Sequence, residues 1–131
     1  MGKKLLDQYT AFEGTEFLIE WYFDAKGISG ALNYFEALDE NEQLKLLDLF
    51  RLIGNSGEIK NKTKFRYEGD KIYAFKPQPH RFLCFFFKGR KIIVTNAFHK
   101  KIDKLPMNEK DRALKSKEDY ELRAKRGDYY E

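Results

Sequence analysis

The feature that most constrains this chain is a pair of aromatic, β-rich runs joined across Lys88 and Gly89. The runs occupy residues 81–87 and 91–96 and consist largely of the β-branched and aromatic residues that favour strands. A glycine in a short connection between two such runs is typical of a β-hairpin. The sequence therefore predicts an antiparallel hairpin in this region.

Hydrophobic periodicity predicts further elements before this hairpin. Strands are expected at residues 16–23, 63–67 and 72–76. Apolar residues recur at helical spacing after Ser29 and again after Asp39, and both residue types cap helices well. Glu42, three residues after Asp39, completes a capping box, and the glycines at 54 and 57 end the second helix.

A charged helix is predicted near the C-terminal end, over residues 108–126. It carries few apolar positions, so we expect it to cover little core and to be partly exposed. The order of elements, β-α-α-β-β-β-β-α, predicts an α+β fold. In this fold an N-terminal strand and a helical hairpin pack on a four- to five-stranded, mainly antiparallel sheet, and the C-terminal helix follows.

Length and composition indicate one folded domain over residues 1–131. With 131 residues, of which 42% are hydrophobic, the chain can bury a core. The expected parts are the helical hairpin at about 28–56, a basic sheet at about 63–98 and the C-terminal helix at about 108–126. The longest apolar run, 82–87, is too short to cross a membrane, and no signal peptide is recognisable. We therefore expect a cytoplasmic protein.

The single cysteine and the two histidines favour structural roles over metal or redox chemistry. Cys84 lies within a predicted strand and has no second cysteine with which to form an internal disulfide. His80 and His99 lack cysteine or carboxylate neighbours at the spacing of a zinc site. We expect no metal and no cofactor.

Charge is distributed unevenly along the chain. Residues 58–104 hold 13 Lys and Arg against 4 Asp and Glu, whereas residues 1–57 hold 5 against 10. The modest net charge of +4 therefore conceals a basic sheet beside an acidic helical half. A sheet that is both basic and aromatic favours a ligand with a phosphate backbone.

Several short motifs follow one another within residues 64–120. They are Ile72-Tyr73-Ala74-Phe75-Lys76, Arg81-Phe82-Leu83, Phe98-His99-Lys100-Lys101, and Pro106 with Glu109 and Ala113. In this order and spacing they resemble the RelE/HigB superfamily of bacterial type II toxins, and most closely its phage-derived HigB-like branch.

The resemblance implies a ribosome-dependent mRNA endonuclease that is silenced by a helix-turn-helix antitoxin of the HigA type. In the family the ribose 2′-hydroxyl attacks the adjacent phosphate without a metal, and Arg and Lys side chains stabilise the developing charge. By position, Arg81 would grip the phosphate with help from Lys76 and Lys101, and His99 would transfer a proton. If His99 does not, Lys101 and then Tyr120 are the next candidates.

The residues themselves leave a structural interpretation open beside the functional one. Arg81 is suited to gripping two phosphate oxygens, but an arginine at a strand end also extends its head into solvent. A histidine exchanges protons readily near neutral pH, yet a lone histidine after a strand is more often structural. The predicted RNA contacts are Lys60, Lys62, Lys64, Lys100 and Arg90. The alternating lysines among them equally fit a charged edge strand.

Three functions are consistent with these observations. The first is an mRNA-cleaving toxin. The second is a toxin-fold protein that binds an antitoxin or a target such as gyrase without cleaving RNA. It is favoured by Ala74-Phe75-Lys76, which replaces the Glu-Leu-Arg of many relatives of that superfamily. The third is a basic RNA-binding module, which explains the charge but not the ordered motifs.

Overall fold

A computed structural model describes residues 8–102 and 104–131, so residues 1–7 and 103 of the predicted domain lie outside the described residues. In chain order the elements are β1 (Thr10–Glu13), β2 (Leu18–Trp21), α1 (Gly30–Glu36), α2 (Glu40–Ser56), β3 (Phe65–Tyr67), β4 (Tyr73–Phe75), β5 (His80–Phe87), β6 (Lys91–His99) and α3 (Met107–Arg126). The predicted α+β fold is confirmed.

The strands form one six-stranded mixed sheet in the order β1-β2-β6-β5-β4-β3. β2 runs parallel to β6, and the other neighbouring pairs are antiparallel. The sheet has more strands than the four or five expected, because the sequence pattern does not indicate β1. Its four residues, Thr-Ala-Phe-Glu, do not alternate clearly between apolar and polar, and the strand forms by pairing with β2.

The helical hairpin, α1 and α2, covers one face of the sheet, here called the hairpin face. α2 begins with the predicted capping box, in which Oδ1 of Asp39 accepts from the backbone N–H of Glu42 at 2.8 Å. It ends at Gly57, whose φ of 88° is a left-handed conformation that glycine adopts without strain. Phe50 of α2 packs against Trp21 and Phe75, which anchors the helix on the sheet.

Helix α3 covers part of the opposite face, here called the α3 face. Ala113 and Tyr120 are fully buried, and the ring of Tyr120 packs edge-on against Phe85 and Phe87. As expected, α3 is partly exposed: Ala113 and Tyr120 are its buried residues, and its contact with the core depends on one large aromatic side chain. No helix within the described residues is long and apolar enough to span a membrane.

α3 begins part-way along the sheet, beside Asn96, and does not cover the end of the α3 face that carries Arg81 and Phe98. The side-chain amide of Asn96 in β6 donates to the backbone oxygen of Glu109 at 3.1 Å, which fixes the first turn of α3 beside this residue. Phe98 lies two residues further along β6 and pairs with Arg81 of β5. Both therefore lie beyond the N-terminal end of α3.

Candidate phosphate-binding cleft

A cleft on the α3 face lies where β3, β4 and β5 meet the loop before α3. Cationic side chains from four separate segments line it. They are Arg66, Lys76, Arg81, Lys100 and Lys104. The other lining residues are Glu68, Ala74, Phe98, Ile102 and Leu105. We call this surface the basic cleft.

Strand register explains why residues distant in sequence meet here. Arg66 of β3 pairs with Ala74 of β4, and Ala74 pairs with Leu83 of β5. Leu83 lies two residues after Arg81, so both point to the same face of the sheet. The two arginines therefore flank Ala74, whose small side chain leaves a recess between their guanidinium groups.

The guanidinium of Arg81 is held at the cleft rather than extended into solvent. The residue is only 8% exposed. Its Nη1 donates to the backbone oxygen of His80 at 2.9 Å and to Oε1 of Gln78 at 3.2 Å. These bonds fix the orientation of a planar group whose charge persists at all accessible pH values. The interpretation of Arg81 as a solvent-directed strand end is therefore wrong.

Lys76 lies among the other cations at the end of β4. Burial lowers the pKa of its ammonium group, and the positive charges of Arg66 and Arg81 lower it further. Its Nζ donates to the backbone oxygen of Lys62 at 3.2 Å, which holds the side chain at the rim. A bound anion would relieve the repulsion among these groups.

Glu68 is the carboxylate among the described lining residues of the basic cleft. Its side chain is 9% exposed, and Oε2 lies 3.4 Å from Nε of Arg66. The hairpin turn that follows Glu68 is fixed to α3, because Nζ of Lys110 pairs with Asp70 of the turn at 2.9 Å. The β3–β4 hairpin, which forms one wall of the cleft, is thus tied to the first turn of α3.

Sequence reasoning missed Arg66, Glu68 and Lys104. Arg66 and Glu68 alternate with Tyr67 after the predicted start of β3, which is a signal for a shared face. Nothing local indicates that this face meets Arg81, because that depends on the pairing of β3, β4 and β5. Lys104 joins the cleft through the course of the loop before α3, which carries no periodic pattern.

The structure does not bring His99 into the basic cleft. His99 pairs with His80 across β5 and β6, and the two rings meet edge-on with centroids 5.6 Å apart. It therefore lies on the hairpin face, opposite Arg81. A β-bulge causes this: Leu83 pairs with Asn96 and Cys84 with Val94, so Thr95 is an extra residue. One extra residue sends every later side chain of β6 to the other face.

His80 is bound on both ring nitrogens. Nδ1 lies 2.7 Å from the hydroxyl of Tyr34, and Nε2 lies 2.6 Å from Oε2 of Glu42. The hydrogen bond with His80 lowers the pKa of the Glu42 carboxyl. These contacts tie the helical hairpin to the residue next to Arg81. No group of His, Cys, Asp and Glu within residues 8–102 and 104–131 is arranged to hold a metal ion.

The predicted lysines divide between the cleft and its surroundings. Lys100 lines the cleft, whereas Lys101 is exposed and lies outside its lining, where Lys104 takes a place instead. Lys62 and Lys64 lie in a turn rather than a strand, close to Lys76. Lys60 pairs with Glu58 at 3.9 Å on the open surface.

Arg90 lies at the opposite end of β5 from the basic cleft. It follows the hairpin turn, and its Nη2 donates to the backbone oxygen of Thr15 at 2.9 Å. Cys84, between these two ends, is fully buried, and burial raises the pKa of its thiol well above the ordinary value. The expected structural role of Cys84 agrees with this position.

The tail tyrosines form a second polar group on the α3 face, away from the cleft. This tyrosine cluster comprises Glu20, Lys91, Tyr120, Tyr129 and Tyr130. The hydroxyl groups of Tyr120 and Tyr130 lie 2.7 Å apart, and that of Tyr130 donates to Oε1 of Glu20 at 2.5 Å. Burial raises the pKa of Tyr120 to about 12. Tyr120 is thus a core residue, and the geometry does not support it as a proton carrier for the cleft.

Fold and cleft together define a small α+β protein whose sheet carries a cleft lined by cations from four segments. The chain matches the family model described as phage derived protein Gp49-like (DUF891) over residues 33–118. This match covers more than half of the chain, so the protein belongs to that family, which is a RelE/HigB-like toxin family of toxin–antitoxin systems. Membership implies an antitoxin partner. No curated protein matches the chain.

Proposed function

We propose that this protein is a toxin that cleaves mRNA on the ribosome. The observation that carries the proposal is the convergence of cations from four segments on one cleft, with Arg81 fixed at its centre. Such an arrangement suits a phosphate diester, since guanidinium groups bind two phosphate oxygens at once. Membership of a toxin family supports a role in growth inhibition. An mRNA substrate on the ribosome would place this action in the cytoplasm.

The proposed reaction is attack of a ribose 2′-oxygen on the adjacent phosphorus. The bond from phosphorus to the 5′-oxygen breaks, which leaves a 2′,3′-cyclic phosphate and a free 5′-hydroxyl. The transition state carries extra negative charge on the phosphate oxygens. Arg81, Arg66 and Lys76 would stabilise that charge from fixed positions, so no step is assigned to a metal ion.

Two protons move in this reaction, and the cleft offers a candidate for each. The carboxylate of Glu68 would accept the proton of the 2′-hydroxyl. Lys76 would donate a proton to the departing 5′-oxygen, and its lowered pKa makes it a better acid than an ordinary lysine. Lys100 and Lys104 would then hold neighbouring phosphates. The earlier prediction for His99 has no support from its position.

We also propose that the antitoxin is a helix-turn-helix protein of the HigA type. Toxins of this class must be held inactive until needed, and a basic cleft reaches RNA whenever it is uncovered. Synthesis of the protein without an antitoxin should therefore arrest bacterial growth and fragment mRNA. Normal growth with intact mRNA and abundant folded protein would instead favour a toxin-fold protein that acts by binding alone.

Cleavage is tested directly with purified protein and mRNA-programmed ribosomes. We expect cleavage in the presence of EDTA, with 2′,3′-cyclic phosphate ends on the products. His99→Gln tests the assignment of the site. The ring of His99 lies on the opposite face of the sheet from the basic cleft, so this variant should cleave at nearly the wild-type rate. EDTA-sensitive cleavage would contradict the metal-independent mechanism, and a His99→Gln variant slowed about 10²-fold would restore His99 as the proton carrier.

A further inference from the structure

A second depression adjoins the basic cleft on the other side of the β4 end. It lies between α2 and the segments that precede β3 and follow β4, and its volume is about 400 Å³. Leu49 and Pro77 contribute apolar side chains, and Lys45, Lys64 and Lys76 contribute ammonium groups. We call it the lysine groove.

The lysine groove and the basic cleft are continuous. Lys76 lines both of them. Gln78 links them as well: its Oε1 accepts from Arg81 at the cleft, and its Nε2 lies 3.5 Å from the backbone oxygen of Thr63 in the groove. A chain that leaves the cleft over the end of β4 therefore enters the groove directly.

The two depressions differ in size, so they suit different parts of a nucleotide: the smaller suits a phosphate oxygen and the larger suits a base. The basic cleft is open to solvent and its volume is about 10 Å³, which is about the room that one water molecule needs. An anionic oxygen fits there and a nucleobase does not. The groove lies within the range of sites that accept small organic molecules.

Charge in the lysine groove favours an anionic occupant. Lys45 and Lys64 are both exposed, so their ammonium groups are accessible to a ligand. Asp48 also lines the groove, but its Oδ1 is engaged by Arg51 at 2.6 Å. The groove therefore presents three lysines around an apolar floor.

We propose that the lysine groove binds the nucleotide next to the scissile phosphate of a single-stranded RNA. The base packs on Leu49 and Pro77, and Lys45 and Lys64 hold the phosphates that flank it. This inference rests on the proposed cleavage of RNA in the basic cleft. It adds a second subsite, in which affinity depends on the base as well as on the backbone.

The first test is binding of a fluorescein-labelled single-stranded oligonucleotide that is 2′-O-methylated throughout and so resists cleavage. We expect Lys45→Glu with Lys64→Glu to weaken binding about tenfold or more and to lower the salt dependence. The matched control is Lys26→Glu with Lys88→Glu, which makes the same charge change outside both depressions. Equal weakening in the two double variants would overturn the subsite.

The second test asks whether a base occupies the groove. An oligonucleotide of the same length and charge but without bases should bind the wild-type protein several-fold more weakly, and the Lys45→Glu, Lys64→Glu variant should lose this discrimination. Equal binding of the two oligonucleotides by the wild type would overturn the base site. Displacement of the RNA by a polyglutamate peptide of equal charge at equal concentration would also overturn it, in favour of an acidic protein segment.

Failure of this inference is distinct from failure of the proposed function. A wild-type protein that neither binds RNA nor cleaves mRNA on ribosomes would overturn both. Wild-type cleavage on ribosomes together with groove variants that bind like their control would overturn the subsite alone.

Discussion

The two ends of the α3 face use similar residues for different purposes. In the tyrosine cluster, Nζ of Lys91 lies 3.6 Å from Oε2 of Glu20 and donates to the hydroxyl of Tyr130 at 2.8 Å. Cation, carboxylate and hydroxyl thus satisfy one another beneath α3. In the basic cleft, cations from four segments surround one described carboxylate, Glu68. The first group is closed by its own hydrogen bonds and ion pair, whereas in the second we propose that the clustered cations bind a phosphate.

This difference has a thermodynamic consequence. A paired, buried group adds to the free energy of unfolding, because removing one member leaves its partner desolvated and unbonded. Crowded like charges subtract from it, and natural proteins tolerate such costs because they are rarely near their optimum of stability. Relief of like charge in the basic cleft should therefore change stability in the opposite direction from loss of a paired group beneath α3.

The largest loss of stability is expected for Tyr120→Ala. Tyr120 is fully buried against Phe85 and Phe87, and removal of a large aromatic side chain from a core costs about 3–5 kcal/mol. Urea denaturation measures this change. Leu122→Ala is the control on the same helix, since Leu122 is 52% exposed, and it should change the free energy of unfolding by less than about 1 kcal/mol. Similar effects for both variants would show that α3 is not anchored by Tyr120.

A smaller loss is expected for Asp119→Asn, where α3 contacts the segment that follows β2. Oδ2 of Asp119 accepts from Nη2 of Arg123 at 2.7 Å and from the hydroxyl of Tyr22 at 2.5 Å. Hydrogen bonds to a charged group contribute about 1.5–3 kcal/mol. Glu121→Gln removes a partly exposed pair with Lys117 on the same helix and should cost about 0.5 kcal/mol or less. Equal losses in the two variants would contradict this account.

The effect of Asp119→Asn should depend on pH. Burial raises the pKa of Asp119, but the bonds from Arg123 and Tyr22 outweigh burial and lower it overall. The stabilisation is therefore present above the ordinary aspartate pKa of about 3.9 and is lost as the pH falls toward the lower folded value. Denaturation at pH 7 should separate wild type and variant, and the difference should shrink below about pH 4. A difference that stays constant would show that the charge of Asp119 does not matter.

The smallest change in stability, and one of opposite sign, is expected for Lys76→Gln. Burial and the charges of Arg66 and Arg81 lower the pKa of Lys76, so its protonated form is disfavoured in the folded protein. At neutral pH this costs stability; the cost shrinks as the pH rises above the folded pKa and is gone above the ordinary lysine pKa of about 10.4. The variant should unfold about 1–2 °C higher at pH 7 and lose this advantage at high pH. A lower unfolding temperature for the variant than for the wild type would show that Lys76 stabilises the fold.

Local signals predicted the frame of the molecule well. The capping box at Asp39 and Glu42 depends on two residues three apart, so the sequence displays it directly. The β5–β6 hairpin likewise follows from two neighbouring runs and one turn. Strand β1 escaped prediction because four residues without clear alternation become a strand only by pairing with β2.

The cleft was only partly predictable, because it depends on register. Arg81, Lys76 and Lys100 were identified, and the structure brings them together. His99 was assigned to the same site, and simple alternation along β6 would place it on the α3 face. The bulge at Thr95 moves the later side chains of β6 to the opposite face, and no residue pattern in the sequence predicts this bulge.

The most direct test of the central claim measures stability and cleavage on the same preparation of Arg81→Ala. Removal of one preorganised transition-state contact should lower the rate of mRNA cleavage on ribosomes about 10²–10³-fold. The free energy of unfolding should change by about 1 kcal/mol, and Arg90→Ala, at the far end of β5, should keep full activity. Full cleavage by Arg81→Ala, or equal loss in Arg90→Ala, would contradict the assignment of the basic cleft as the phosphate site.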